Sequence, residues 1–323
     1  MIKMSLDPLR ARQFFNFMGG IVDEFRLHIS KQGWKVAAVD PANVAMATID
    51  LPKENFQNWE FKDDDQWTGS IDGHPTGVQI EEIAVGIDVI KVKEFIPDIF
   101  DISKLRSNRS MEELIVANSK LSQNPTNYLS ALDDELKPIE FAFVRAPEKY
   151  QGMRGSPMYE LVLKQGMFTR KILLLHEADI RRNPHIPELP LDYKIQLETL
   201  ELLRIVKKRA TADYIRFGYE RGIVPGDDAA KFAMKFIATV EDDDDISTAE
   251  KYLERDEFQR LRGFTGDKAG SLLSTDYLHE IVPAIPSETV WVHIGNDVPV
   301  VIEFVLGMTG QCKYMQAPRV ESE

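Results

Sequence analysis

Four consecutive aspartates at 242 to 245 and three at 63 to 65 are the residues of this chain whose type and spacing come nearest to chemistry. Carboxylate oxygens bind magnesium, so a metal-dependent phosphoesterase could in principle be assembled from them. Neighbouring side chains of an extended segment point to opposite faces, however, and aspartate is a favoured turn residue. Both runs therefore read as solvated turns between strands, with the metal centre as the competing reading. Metal-dependent hydrolysis abolished by changes at 242 to 245 would favour the latter. The histidines, at 28, 74, 176, 185, 279 and 293, lack the spacing of metal ligands. Cys312 is the only cysteine, so it has no internal disulfide partner, and in an apparent strand with no histidine nearby in sequence it reads as a packed side chain rather than a nucleophile. There is no glycine-rich phosphate loop, His-Glu-x-x-His, Cys-x-x-Cys or nucleophile elbow. No metal, cofactor or catalytic activity is expected.

A second chemistry is basic. The segment at 195 to 211, `IQLETLELLRIVKKRAT`, is read as a helix with Leu200, Leu203, Val206 and Ala210 as its buried stripe. Glu201, Arg204, Lys208 and Thr211 then lie on the other side, flanked by Lys207 and Arg209. A basic helix end complements the helix dipole and also suits phosphate contact. Net charge is −13, which argues against a protein that grips nucleic acid over its whole surface and leaves room for a local basic face.

The elements that position these residues are strand-rich. At 323 residues, two domains are the natural expectation. The first residues have no apolar core of a secretory signal, and no stretch approaches the roughly 18 apolar residues of a membrane span. An intracellular protein without membrane association is expected. A helix is read at 8 to 26, with Leu9, Phe14, Phe17, Met18, Ile21, Val22 and Phe25 at helical spacing, and strands at about 34 to 39, 44 to 51 and 78 to 86. Between the first two of these strands, at 40 to 43, Asp-Pro-Ala-Asn is type I turn chemistry, Asp40 accepting from the amides that follow. A short helix from Asp88 is closed by Pro97. Residues 101 to 138 break the rhythm with a capping box at Ser110 and Glu113 and two short helical patterns. Strands return at 139 to 145, 158 to 164 and 167 to 175, and the proline-rich stretch 176 to 190 reads as a linker.

The second half repeats the order: a helix, strands near 214 to 219 and 231 to 240, a short helix `TDYLHEIVP`, then strands at 289 to 294, 299 to 306 and 311 to 316. Val92-Lys93-Glu94-Phe95-Ile96-Pro97 is matched by Leu278-His279-Glu280-Ile281-Val282-Pro283 in pattern. Together with the shared element order, this indicates an internal duplication.

Three segments carry a resemblance: `GWKVAAVDPANVAMATIDLP` (33 to 52), `TRKILLLHEADIRRNPHIPELPLDYKIQL` (169 to 197) and the stretch from 272 to 323 that ends a strand in `APR`. The chain resembles the DNA polymerase sliding clamp, proliferating cell nuclear antigen (PCNA), in its archaeal form. The likeness covers both halves apart from residues 101 to 138. It implies an α+β DNA clamp (processivity) fold, two similar domains each of two βαβββ units, and a ring of three subunits with helices lining the hole. The implied division is 1 to 176, a connector at 177 to 192, and 193 to 323. The insertion has no counterpart in the resemblance.

The resemblance also implies sites. Arg12, Lys91, Lys93, Arg204, Lys207, Lys208 and Arg209 would face double-stranded DNA without reading its sequence. Val39, Asp40, Asn43, Val44, Ile186, Pro187, Pro299, Met315, Ala317 and Pro318 would form the pocket for partners with a PIP-box motif: polymerase, ligase, flap endonuclease and the ATP-driven clamp loader, replication factor C. The strand bearing Phe168, Arg170, Ile172 and Leu174 would pair with that bearing Phe232, Met234 and Phe236 of the next copy in a homotrimer. The implied location is cytoplasmic and nucleoid-associated in an archaeon, nuclear in a eukaryote. A paralogue acting in a repair heterotrimer is the alternative within the family.

Overall fold

The computed structural model describes residues 2–61, 70–71, 74–75, 82–96, 137–147, 158–182, 184–186, 188–189, 191, 193–208, 212–223, 232–242, 245–253, 256–260 and 268–319. The aspartates at 63 to 65 and the helical patterns read at 101 to 138 lie outside the described residues. The first half comprises β1 (Ile2–Leu6), α1 (Pro8–Gly19), β2 (Glu24–Ser30), β3 (Gly33–Val39), β4 (Ala45–Pro52), β5 (Gln57–Phe61), the short pair β6 (Ser70–Ile71) and β7 (His74–Pro75), β8 (Glu82–Asp88), α2 (Val89–Lys93), β9 (Ile139–Arg145), β10 (Tyr159–Gln165) and β11 (Phe168–Leu173). The second comprises β12 (Tyr193–Glu198), α3 (Thr199–Lys208), β13 (Tyr214–Ile223), β14 (Phe232–Asp242), β15 (Asp245–Leu253), β16 (Phe258–Arg260), β17 (Lys268–Ser274), α4 (Thr275–Ile281), β18 (Thr289–Ile294), β19 (Val300–Leu306) and β20 (Gly310–Gln316).

Four βαβββ units account for nearly all of this. They are β1-α1-β2-β3-β4, β8-α2-β9-β10-β11, β12-α3-β13-β14-β15 and β17-α4-β18-β19-β20. Within each half the leading strand of one unit pairs with the first strand after the helix of the other: β1 with β9 and β8 with β2, then β12 with β18 and β17 with β13. This reciprocal exchange is the duplication in three dimensions. The repeated six-residue pattern falls on equivalent ground, because Val92 and Leu278 are both fully buried, as are Ile96 and Val282. β20 of the last unit pairs with β4 of the first, which fuses strands from both halves into a nine-stranded sheet, β16-β12-β18-β19-β20-β4-β3-β2-β8. The other main sheets are β11-β10-β9-β1-β5 and β15-β14-β13-β17.

α1 starts where Asp7 accepts from the amides of Leu9 and Arg10 ahead of Pro8, a side-chain cap with proline inside the first turn. Its aromatic stripe knits the sheets together: Phe14 meets Trp34, Phe15 stacks on Phe141, and Phe17 reaches Phe304 of the second half. Two expectations are corrected here. The first helix ends at Gly19 rather than near 26, because two glycines weaken helix propagation, and Phe25 belongs to β2. The helix read at 195 to 211 begins at Thr199, because Ile195 and Leu197 alternate with polar residues at the period of a strand and pair with β18. Its buried positions are Leu202 and Val206, while Leu200 is 61% exposed. Ala210 lies outside the described residues.

The strand edge at β8 is covered by the chain entering the linker. Gly86 and Leu175 exchange backbone hydrogen bonds at 3.2 and 3.1 Å. A Cβ at Gly86 would lie 2.8 Å from the Leu175 carbonyl oxygen, so only glycine admits this contact. Cys312 is buried as expected, and burial pushes its thiol pKa up.

Candidate functional site

The turn after β3 is held by one carboxylate. Asp40 is 3% exposed, and its Oδ1 accepts from the amides of Val44 and Ala45, both at 2.7 Å. Its Oδ2 accepts from the Ala42 amide at 2.9 Å and from the Tyr277 hydroxyl of α4 at 2.9 Å. Asn43 takes φ of 62°, a left-handed conformation that asparagine tolerates. Asp40 therefore offers no free surface: it shapes the wall that Val39, Asn43 and Val44 present. Burial, followed by the hydrogen bond to Asp40, raises the Tyr277 pKa, so the phenol stays protonated and able to donate.

Cross-strand register explains how distant residues meet. Val39 pairs with Met46, Met46 with Met315, and Met315 with Val301, giving one lateral row across β3, β4, β20 and β19. Met46 and Val301 are nearly buried, and Val39 and Met315 half-buried, so the row makes an apolar floor with accessible ends. Pro299, Ala317 and Pro318 are half-buried on the chain flanking this row. The tail is pinned: Ala317 donates to the Val44 carbonyl and Arg319 to the Leu272 carbonyl, both at 2.8 Å, while the Arg319 guanidinium lies 3.9 Å from the ring centre of Tyr214. From the linker, Arg181 donates to the Asp40 carbonyl at 2.8 Å and to the Asn43 side-chain oxygen. Ile186, 50% exposed, borders a neighbouring cavity of about 430 Å³ over the polar rows of the same sheet, with Lys35, Thr48 and Lys313. Pro187 lies outside the described residues.

Sequence reading overlooked Met46, Val301, Arg181 and Tyr277. The first two were recoverable from strand alternation, since Met46 has the parity of the solvent-side residues Thr48 and Asp50. Nothing local marks Tyr277 or Arg181, whose partners are 237 and 141 residues away.

Of the basic residues, Arg204 and Lys207 are exposed on α3 together with Leu200, and have no acidic partner among the described residues. Lys208 closes the helix and Arg209 lies outside the described residues. Arg12 is half-buried and donates to the Ile96 carbonyl at 3.1 Å. Lys91 sits 2.9 Å from Asp88, the N-cap of its own helix, and Lys93 lies alongside Gly19. The four helices are neighbours, with α1 against α2, α3 against α4, and Gly20 at the end of α1 abutting Glu280 and Ile281 of α4.

The expected joining strands need a correction. β11 is an edge strand, but β14 is not: it is paired with β13 on one side and β15 on the other. Met234 and Phe236 are thus engaged within the chain, Phe236 fully buried against Phe217. Phe232 pairs with Ile223. One edge of that sheet is β15, with Ile246 and Tyr252 exposed at 69% and 36%; β17 is the other. On β11 Phe168, Arg170 and Ile172 share one face, and Leu174 follows just past the strand; Ile172 and Leu174 are buried, Arg170 pairs with Glu94 at 2.6 Å, and Phe168 is 61% exposed. Asp242 pairs with Asp245 at the hairpin between β14 and β15, the between-strand location read for that run. Among the described residues no group of three or more His, Cys, Asp or Glu could hold a metal ion, and no helix is long and apolar enough to cross a membrane.

No protein-family model matches the chain. Its curated relatives include the DNA polymerase sliding clamp of Archaeoglobus fulgidus, 28% identical over 305 residues that cover 94% of this chain and 92% of that one. A second is the DNA polymerase sliding clamp of Methanococcoides burtonii, 27% identical over the whole of both chains. Among solved structures, the A. fulgidus PCNA bound to the C-terminal region of FEN-1 superposes with a TM-score of 0.65 at 24% identity over all of both chains. PCNA from Thermococcus kodakaraensis superposes with a TM-score of 0.63 at 16% identity, covering 99% of this chain and 100% of that one.

Proposed function

We infer that this chain, a PCNA-type sliding clamp, serves DNA polymerase as a processivity factor by closing around duplex DNA as a homotrimer and tethering its clients through the floor between β3, β4, β20 and β19. The observation that carries the ring is internal to the fold. β4 and β20 are the last strands of the first and fourth units, and they pair within the chain. β11 and β15 are the last strands of the second and third units, and both are edges. The same joint, made between copies, would satisfy both edges and repeat head to tail until the ring closes. Phe168, on the core-facing side of β11 yet largely uncovered, supports this reading, because a core position without cover suits a partner's side chain.

Inside such a ring, Arg204 and Lys207 would meet phosphate oxygens, and Lys208 and Arg209 extend the same charge in sequence. An acidic body of net charge −13 repels DNA elsewhere, so attraction is confined to the helical layer. Arg12 and Lys91 contribute less, being engaged by the Ile96 carbonyl and by Asp88. Clients would bury aromatic and aliphatic anchors on the Val39, Met46, Met315 and Val301 row, at roughly 25 cal/mol per Å² before ordering costs. The boundaries at 176 and 193, the flap endonuclease, ligase and clamp-loader partners, and the lack of catalysis belong to the same proposal.

Native mass spectrometry and retention on closed circular duplex after loading test it. A trimer that stays on the circle and leaves when the circle is linearised is the expected result; a monomer at working concentration that is never retained overturns it.

A further inference from the structure

The Asp40 carboxylate accepts four hydrogen bonds, two on each oxygen, and three of them come from the backbone of the turn and the residue that follows it. The fourth comes from Tyr277, 237 residues away on α4 of the last unit. Without it, the turn is anchored to the rest of the molecule at this carboxylate by nothing. Its other outside hydrogen bonds among the described residues come from Arg181, in the mostly exposed linker, and Ala317, in the tail. α4 is a firmer anchor than either, because Thr275, Leu278 and Ile281 are buried and Thr275 donates to the Ala212 carbonyl. The same α4 region supports the tail: Gln316 of β20 donates to the Ser274 carbonyl at 2.8 Å, at the N-cap of the helix. One helix thus holds two sides of the apolar floor in register.

We propose that Tyr277 is a positioning residue for client docking, its hydroxyl fixing the 40 to 44 turn against α4 so that the apolar floor is preorganised before a partner arrives. The proposal rests on the reading that clients dock on this floor. Tyr277 is half-buried behind the turn and sits beside Asp40 rather than on the Met46 and Met315 row, so it acts through the turn rather than by touching the client. A wall that must be ordered on binding lowers affinity even when every contact in the complex is the same.

Tyr277→Phe removes only the hydroxyl and keeps the ring packing. The probe is a short fluorescent peptide carrying one aliphatic and two adjacent aromatic anchors, titrated against the full-length protein, with amide hydrogen exchange read at Ala42, Val44 and Ala45. The expected result is affinity about tenfold weaker, carried mainly by faster dissociation, with quicker exchange at those three amides and an unchanged native mass. Ile186→Ala serves as a contrast, trimming the rim without changing exchange in the turn. If wild-type protein fails to bind the peptide, the docking reading falls and this inference with it. If wild-type binds and Tyr277→Phe matches it in affinity, the positioning role alone is overturned, whatever the exchange shows. Loss of binding accompanied by loss of the native assembly also overturns it, since the hydroxyl would then be a contact of the fold.

Discussion

Glu303 on β19 gathers charges of the nine-stranded sheet: Lys194 at 2.8 Å, His293 at 2.9 Å and Lys313 at 2.6 Å. The close approach of His293, then those of Lys194 and Lys313, hold its carboxyl far below the usual range against the opposing effect of burial. A carboxylate more acidic in the folded than in the unfolded chain stabilises the fold fully above its ordinary pKa and loses that contribution as pH falls. Thermal melts between about pH 7 and pH 3 should therefore show an acid-side decline that is shallower in Glu303→Gln, with the variant weaker by about 1–3 kcal/mol near neutrality. Cys312 supplies a second check at this scale. Its buried thiol, raised in pKa, should resist a soluble disulfide reagent in the native protein and react fully once the chain is denatured.

At the scale of elements, the linker is part of a sheet edge before it is a tether. Gly86→Val would drive a side chain into Leu175 and Ile180, both 2.8 Å from the site of a Cβ. Chemical denaturation should register a loss of about 2 kcal/mol or more, with proteolysis of the linker accelerated. α3 carries the other element-level expectation. Reversing Arg204 and Lys207 to glutamate leaves the Leu202 and Val206 face untouched, so folding should persist while retention on circular DNA falls sharply. The salt dependence of that retention should also become shallower by about 2 in logarithmic slope, because the two proposed phosphate contacts would be lost.

For the whole molecule, the proposed ring would close by two different edges meeting, which makes a directional test possible. Phe168→Asp spoils the β11 edge and Ile246→Asp the β15 edge, and each variant alone should sediment as a monomer. Mixed together, they retain one intact pair of edges and should form a dimer but no ring. A trimer from either variant alone would reject β11 and β15 as the joint.

What the chain revealed before folding was everything carried by near neighbours. The Asp40 turn is legible because proline presets one dihedral and a carboxylate reaches the amides that follow it, and the burial of Cys312 follows from strand alternation. Residues 195 to 198 misled, because a strand running directly into a helix presents apolar residues that fit either period over so short a window. The duplication of the two halves showed as element order, but its meaning did not. Which strand of a unit becomes an edge depends on how units exchange their leading strands, and only that pairing made β15 rather than β14 the free one. The apolar floor likewise needs Met46 beside Met315, and its anchor needs Tyr277 beside Asp40. Sequence sets the period and the turn chemistry, since these act over a few residues; contacts across hundreds of residues exist only after loop closure, and the packed core selects them.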